Sequence, residues 1–179
     1  LVELDNYDED NQISLDEKSC VEGQTLDRLR VTWDTPEVYS SLQKRFITEQ
    51  FTAINDLVGA NSDQLWSYLD LDDAVRYYLV EELISHTEAY HGSTYMFRDF
   101  GEGQKWHFSP LWDCGNAFNG DIHDFFYNCD PFGNTWIPSM RSNATFNQKL
   151  SATWAWFMNN GYNGIIEEID EYVAHISEA

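Results

Sequence analysis

Residues 93–109 read STYMFRDFGEGQKWHFS, and this stretch decides how the rest of the chain is arranged. Two short aromatic runs, residues 93–99 and 105–109, flank the segment FGEGQ, which contains two glycines. Aromatic residues favour strands, and a glycine-containing turn between two such runs is typical of a β-hairpin. We therefore predict a β-hairpin near the middle of the chain.

A hairpin brings the residues that precede it next to the residues that follow it. Residues directly opposite each other in an antiparallel pair lie about 5 Å apart. The segment 86–93 should therefore neighbour the segment 110–113, which places Glu88 and Ser93 close to Asp113. Asp113 stands among apolar and aromatic neighbours, which makes it a candidate for a special role. We predict that Glu88 and Asp113 face one site.

Two carboxylates on either side of a hairpin suit phosphoryl transfer. One carboxylate orients or deprotonates the attacking hydroxyl, and the other holds a metal ion that bridges the phosphates. Kinase-type enzymes use the same order of parts: a helix, a loop with the base, a hairpin and a metal-binding aspartate. The pattern around Glu88 and Asp113 therefore favours a metal-dependent phosphotransferase.

The rest of the chain predicts an α+β fold that is mostly helical. The first 33 residues are strand-like, with apolar and polar residues alternating over 29–33. Apolar residues recur at helical spacing in four segments: from the capping sequence DTPE at 34–37 to Gly59, from Asp70 to about His86, over 146–158 and over 165–176. The segment 110–138 between them is irregular and aromatic. A chain of 179 residues is long enough for one domain with a real core.

The charge excludes two classes of partner. The chain carries 31 acids against 10 Lys and Arg, a formal net charge of −21. Such a surface repels phosphate backbones and anionic membranes, so we expect no nucleic-acid binding, and a phosphate ligand needs a metal ion to offset the repulsion. No apolar stretch approaches the roughly 18 residues of a membrane span. The three cysteines match no zinc pattern and leave the redox compartment open.

Three quoted stretches resemble one protein family. The run YYLVEELISHTEAYHGSTYMFRDFGEGQKWHFSPLWDCGNAF (77–118) is similar to the segment of the spore-coat protein H (CotH) kinase family that contains an Asn-x-Asp loop, a glycine turn and a Pro-x-Trp-Asp block. TWIPSMRSNATFNQKLSATWAWF (135–157) resembles the family's downstream helix pair, and LVELDNYDE (1–9) resembles the end of its smaller lobe.

The resemblance implies an atypical, secreted or surface-linked protein kinase with a distant kinase-like fold, using ATP and Mg²⁺ or Mn²⁺. It implies one partial domain, 1–179, in which residues 1–33 end the smaller lobe and 34–179 form the larger lobe, as in a protein-kinase C-lobe with a central β-hairpin. Most of the smaller lobe is then missing from this chain, which opens on Leu1 without a Met. We expect this fragment to be inactive by itself and its parent to act on protein at the cell surface or outside the cell.

The resemblance also implies roles for single residues. Asp113 matches the family's metal-binding aspartate, and Glu88 falls where the family has its catalytic aspartate. Ser93 and Asn116 fall where supporting ligands for metal and nucleotide are expected. Gly115 replaces the second acid or amide of the Trp-Asp block.

A non-catalytic binding module is the alternative from another class. The replacements at positions 88 and 115 favour it, and the aromatic loop from Phe125 to Trp136 would then contact a surface protein or a glycan. Trp154 and Trp156 stand at helical spacing, which favours packing over a carbohydrate platform. His86 and His91 flank Glu88 and are a second candidate metal pair.

A calcium loop is the third reading, at NYDEDNQISLDE (6–17). Oxygen-bearing side chains occupy positions 1, 3, 5, 7, 9 and 12 of such a loop: Asn6, Asp8, Asp10, Gln12, Ser14 and Glu17. Asn6 replaces the usual first Asp, and Asn11 replaces the usual glycine. Residues 143–145 (Asn-Ala-Thr) also fit the N-glycosylation pattern.

Overall fold

The computed structural model describes residues 1–4, 12–15, 29–33, 39–86, 89, 92–118 and 136–177. Within these ranges the chain forms an α+β fold, with helices packed against one antiparallel sheet. The sheet has five strands in the spatial order β2-β3-β1-β4-β5: β1 (Val2–Leu4), β2 (Gln12–Leu15), β3 (Leu29–Trp33), β4 (Thr94–Phe97) and β5 (His107–Leu111).

The predicted hairpin is confirmed as the pair β4–β5. Phe97 pairs with His107 at the turn end, and Thr94 pairs with Leu111 at the open end. Gly101 and Gly103 have positive φ angles of 128° and 75°, a backbone conformation that L side chains rarely adopt, which explains the two glycines in the turn. The hairpin lies at one edge of the sheet, because β1 pairs with the other side of β4.

The predicted helices are present in the predicted order with shifted bounds: α1 (Ser41–Gly59), α2 (Leu71–Leu83), α4 (Ala144–Asn160) and α5 (Tyr162–Ser177). A short further helix before α4, α3 (Ile137–Arg141), was not predicted. Two short 3₁₀ helices cover Asp63–Ser67 and Cys114–Asn116.

The predicted start of α1 at DTPE is wrong. Ser40 caps the helix instead: its hydroxyl accepts from the backbone N–H of Gln43, and the Gln43 side chain accepts from the backbone N–H of Ser40. This reciprocal pair is a capping box, which satisfies two backbone donors that the first turn leaves open. The end at Gly59 is as predicted.

An aromatic cluster joins α1, the hairpin and α3. The Phe51 ring lies 4.7 Å from the Trp106 ring, edge-on, and 6.0 Å from the Trp136 ring, stacked. The indole N–H of Trp136 donates to Asn55 Oδ1 at 3.1 Å. The predicted aromatic contact loop is therefore wrong for Trp136, which is a core residue with 3 % exposure. Residues 125–135 lie outside the described residues.

Asn143 is the N-cap of α4 and also ties two segments together. Its Oδ1 accepts from the backbone N–H of Phe146 at 2.9 Å, and its Nδ2 donates to Asp63 Oδ1 at 3.0 Å and to Asn61 Oδ1 at 3.2 Å. Asn143 is buried and its amide is fully engaged. The glycosylation pattern at 143–145 is therefore inaccessible in the folded protein.

The two C-terminal helices carry exposed apolar side chains. Trp154 is 43 % exposed and Trp156 is 64 % exposed, so the packing role expected for them is wrong for Trp156 and holds for Trp154 only through its ring contact with Phe157. The apolar stripe of α5 is likewise exposed, from Ile165 to Ile176. A groove of about 580 Å³ lies between α2 and α4, and Trp154 and Trp156 are among its lining residues.

Candidate active site

The two flanks of the hairpin meet, as the sequence predicts. After α2 the chain turns at Ser85, and His86 Nε2 lies 3.0 Å from the backbone oxygen of Asp113. The backbone N–H of Phe118 donates to the backbone oxygen of Ile84 at 2.6 Å. The segment that leaves α2 therefore runs beside the segment that leaves β5. Glu88 and His91 lie outside the described residues, so their roles stay predictions.

Asp113 occupies a special backbone position at the end of the hairpin. It has φ 47° and ψ 49°, the left-handed conformation, directly before the 3₁₀ helix Cys114–Asn116. This conformation costs about 1 kcal/mol for a residue with a Cβ, and Asp tolerates it better than most. The Asp113 side chain does not cap the 3₁₀ helix. Its carboxylate is exposed and is not used in capping the 3₁₀ helix.

The surroundings of Asp113 are more open than the sequence suggests. Trp112 is 54 % exposed and Phe118 is 77 % exposed, so these neighbours do not form an apolar pocket around the carboxylate. Position 115 lies next to the carboxylate: a Cβ built on Gly115 would be 3.4 Å from Asp113 Oδ1. The position at which the family carries a second acid or amide is therefore adjacent to the Asp113 carboxylate.

A buried pair of side chains, Glu81 and His86, lies on the inner side of Asp113. Glu81, on the inner face of α2, contacts His86 Nδ1 through Oε2 at 2.8 Å, and both side chains are fully buried. Glu81 is not among the residues predicted from the sequence, and His86 is predicted only as a candidate metal ligand. The sequence signal that could have indicated Glu81 is its position on the apolar face of a helix. Acids are rarely fully buried unless they are paired, so an acid at such a position suggests a buried partner.

Two further side chains extend this buried cluster. The Tyr77 hydroxyl lies 3.1 Å from Thr94 Oγ1, and the Thr94 hydroxyl also donates to the backbone oxygen of Gly92 at 3.1 Å. Burial, followed by the negative charge of Glu81, raises the pKa of Tyr77 well above its ordinary value. Tyr77 therefore stays neutral at physiological pH.

Cys114 is exposed beside Asp113, but it is not activated. Desolvation raises the pKa of its thiol, and the charges of Glu81 and Asp113 raise it further. Because the thiolate is the reactive and metal-binding form, a raised pKa makes Cys114 a poor nucleophile and a poor ligand at neutral pH.

The supporting residues lie at the open end of the hairpin. Ser93 is half-buried, and its backbone N–H donates to Glu3 Oε1 at 3.1 Å, which ties β1 to this end. Asn116 is half-buried in the 3₁₀ helix. Both lie on the strands or turn that carry Asp113, but their roles as ligands stay predictions.

The predicted calcium loop is described only in part. Gln12 begins β2 and pairs in register with Thr32, and Ser14 pairs with Arg30. The remaining ligand positions, Asn6, Asp8, Asp10 and Glu17, lie outside the described residues.

A second cluster of possible metal ligands lies at the other end of the hairpin. One ligand atom each of Asp70, Asp73 and His107 falls within 4.8 Å of the others. Asp70 caps α2 through the backbone N–H of Asp73, and Asp73 contacts His107 Nδ1 at 2.5 Å and Arg76 at 3.5 Å. The positive end of a helix disfavours a cation. We therefore interpret this cluster as a structural link between α2 and β5.

The comparison with protein families decides the classification. A family model described as "CotH kinase protein" matches residues 11–179, nearly the whole chain. The chain belongs to the CotH kinase family. The match to this CotH-family chain runs from the residues before β2 to the end of α5 and includes the whole hairpin with Asp113.

Other comparisons add nothing to this classification. Neither the curated proteins nor the solved structures gave a significant match to this CotH-family chain. Among the described residues, no helix combines the length and the apolar character that a membrane crossing requires.

Proposed function

We propose that this chain is the larger-lobe part of an atypical protein kinase that transfers phosphate from ATP to a protein outside the cell or at its surface. The observation that carries the proposal is the position of Asp113: an exposed carboxylate in the family's Trp-Asp block, held next to the segment that leaves α2. Glu88 belongs to the continuation of that segment in sequence.

The donor set fits a hard divalent cation. Mg²⁺ and Mn²⁺ prefer carboxylate and amide oxygens, and Mg²⁺ is commonly held by one or two carboxylates together with substrate phosphates. Asp113 would supply the carboxylate, and Asn116 and Ser93 would supply neutral oxygens. When bound, the ion would neutralise the charge that develops on the phosphates. In a chain of net charge −21, this neutralisation is also what lets ATP approach.

The roles of the protein groups follow from this placement. Glu88 would accept the proton of the acceptor hydroxyl or orient that hydroxyl for attack. Glu has one methylene more than the family's Asp, and catalytic geometry is sensitive to displacements of about 1 Å. We therefore expect slower transfer than in family members that carry Asp at this position.

The experiment measures thermal stability with Mn²⁺ or Mg²⁺ plus ATP. A ligand that binds only the folded state raises the melting temperature, so wild type should show a lift that Asp113→Asn removes. Asp99→Asn is the matched control, because Asp99 is also exposed but lies at the turn end of the hairpin. An equal lift in wild type and Asp113→Asn would refute the proposal, and so would the absence of a lift in the full-length parent.

A non-catalytic binding module is the second candidate. The glycine at 115, where the resemblance implies a second acid or amide, favours it. Its contact surface would include the exposed rings of Trp112 and Phe118 rather than Trp136. Loss of surface-protein or glycan binding in Trp112→Ala, without any Mn²⁺-ATP lift in wild type, would favour this candidate over the kinase.

A further inference from the structure

The buried pair Glu81–His86 lies directly beneath the residue that the proposed function depends on. Both side chains are fully buried, although an acid and a histidine in the core cost free energy unless their hydrogen bonds are satisfied. His86 Nδ1 faces Glu81 Oε2 at 2.8 Å, and His86 Nε2 faces the backbone oxygen of Asp113 at 3.0 Å. The imidazole therefore bridges α2 and the turn after β5.

The partners of the ring fix where its protons lie. A backbone carbonyl only accepts hydrogen bonds, so His86 Nε2 must carry a proton and donate it to Asp113. The 2.8 Å contact between Nδ1 and Glu81 Oε2 then requires one more proton, shared between these two atoms. Glu81 and His86 together are net neutral wherever that proton resides, which is how the pair is tolerated in the core.

The bridge ends on the backbone of Asp113 itself. Asp113 has a left-handed backbone, and its carbonyl oxygen is the atom that His86 holds. A hydrogen bond to this carbonyl fixes the peptide plane between Asp113 and Cys114. The carboxylate of the same residue is exposed and lies beside Gly115.

We propose that Glu81 and His86 are positioning residues for Asp113. Glu81 holds His86 in the form with a proton on Nε2, and His86 holds the Asp113 backbone in the conformation that presents its carboxylate to a metal ion. The link to metal binding rests on the proposed function, whereas the hold on the Asp113 backbone does not.

Two substitutions of Glu81 separate positioning from mere packing. The amide of Glu81→Gln can still donate to His86 Nδ1 and leaves the proton on Nε2. Glu81→Met fills the same space but cannot hold the ring. We expect Glu81→Gln to bind Mn²⁺-ATP within about twofold of wild type and Glu81→Met to bind it roughly 3- to 10-fold more weakly, even if Glu81→Met unfolds at a higher temperature. Glu49→Met, on the exposed face of α1, is the matched control.

Nuclear magnetic resonance of the ring nitrogens tests the hold on Asp113 without any metal. Wild type and Glu81→Gln should show His86 protonated at Nε2, and Glu81→Met should show a tautomer mixture together with a shifted backbone amide of Cys114. Wild-type His86 without a proton on Nε2 would overturn the proposal, whichever variants fold. An unchanged tautomer and an unchanged Cys114 amide in Glu81→Met would overturn it too. Loss of Mn²⁺-ATP binding in Asp113→Asn tests the proposed function separately.

Discussion

On the proposed function, Gly115→Asp should strengthen the binding of a metal ion at Asp113. A Cβ at position 115 lies 3.4 Å from Asp113 Oδ1, which is ordinary van der Waals contact, and the Gly115 backbone does not have the positive φ that strains other residues. An aspartate is therefore accommodated, and its carboxylate lies next to that of Asp113. This restores the second acid that the family's Trp-Asp block typically carries.

The size of the effect follows from Coulomb's law at an exposed site. Two carboxylates about 4 Å apart in water repel by about 1 kcal/mol, and a divalent cation about 4 Å from the new carboxylate attracts it by about 2 kcal/mol. The repulsion is present in both the metal-free and the metal-bound protein and cancels from the binding free energy, so the new attraction favours the metal-bound state by about 2 kcal/mol. We therefore expect Gly115→Asp to bind Mn²⁺ roughly 30-fold more tightly than wild type, because 1.4 kcal/mol corresponds to a factor of ten.

Titration calorimetry with Mn²⁺ measures this gain directly. Gly115→Ala is the control, because it adds the Cβ without the charge, and it should match wild type. The double variant Gly115→Asp with Asp113→Asn should lose most of the gain, since both carboxylates are needed beside the ion. If Gly115→Asp binds no more tightly than wild type, or keeps its full gain without Asp113, the Asp113 carboxylate does not hold the metal.

Three further predictions concern the fold. Asn143→Ala should lower the free energy of unfolding by about 1–2 kcal/mol, because it removes the N-cap of α4; urea denaturation measures this against Asn159→Ala, an exposed position at which we expect little change. The hydrogen bond from Asn143 lowers the pKa of Asp63 below its ordinary 3.8, so Asp63 contributes stability above that pH and loses it as the pH falls; Asp63→Asn should flatten the acid limb of the stability profile. Burial raises the pKa of Tyr77, so its contribution is complete below about pH 10 and is lost at higher pH; Tyr77→Phe should reduce the alkaline decline, and a decline of unchanged steepness would contradict this reasoning.

Local sequence signals were enough for the hairpin and for the existence of α1, α2, α4 and α5. The turn FGEGQ contains the two glycines that the positive φ angles require, and Asp70 caps α2 through the backbone N–H of Asp73. Both features depend on residues only a few positions apart. For the same reason the meeting of His86 with Asp113 could be predicted, since a hairpin brings its own flanks together.

The order of strands could not be predicted, because it depends on pairing between distant segments. β1 has three residues, and it lies between β3 and β4 although Thr94 follows Val2, the first residue of β1, by 92 positions. Nothing in Val-Glu-Leu specifies these partners. The burial of Glu81 was hidden for a related reason: a buried acid needs a partner, and His86, which follows the end of the helix, returns to meet it.

In the two proposals above, the backbone of Asp113 and the set of metal ligands depend on different residues. His86 contacts the Asp113 backbone oxygen, whereas position 115 lies beside the carboxylate and takes no part in that contact. A family member can therefore lose the acid at 115 and keep the turn intact, so an intact turn by itself does not establish catalysis.

With glycine at 115, the phosphates must supply most of the remaining ligands. Mg²⁺ and Mn²⁺ accept this arrangement, because Mg²⁺ is commonly bound by one or two carboxylates together with substrate phosphates and several waters. The metal should therefore bind to Asp113 as a complex with ATP, and ATP should raise the apparent Mn²⁺ affinity at least tenfold over that of the ion alone. Calorimetry with Mn²⁺ in the presence and absence of a non-hydrolysable ATP analogue tests this. Equal affinities that both depend on Asp113 would mean that the protein supplies the ligands itself, and the argument from Gly115 would then be wrong.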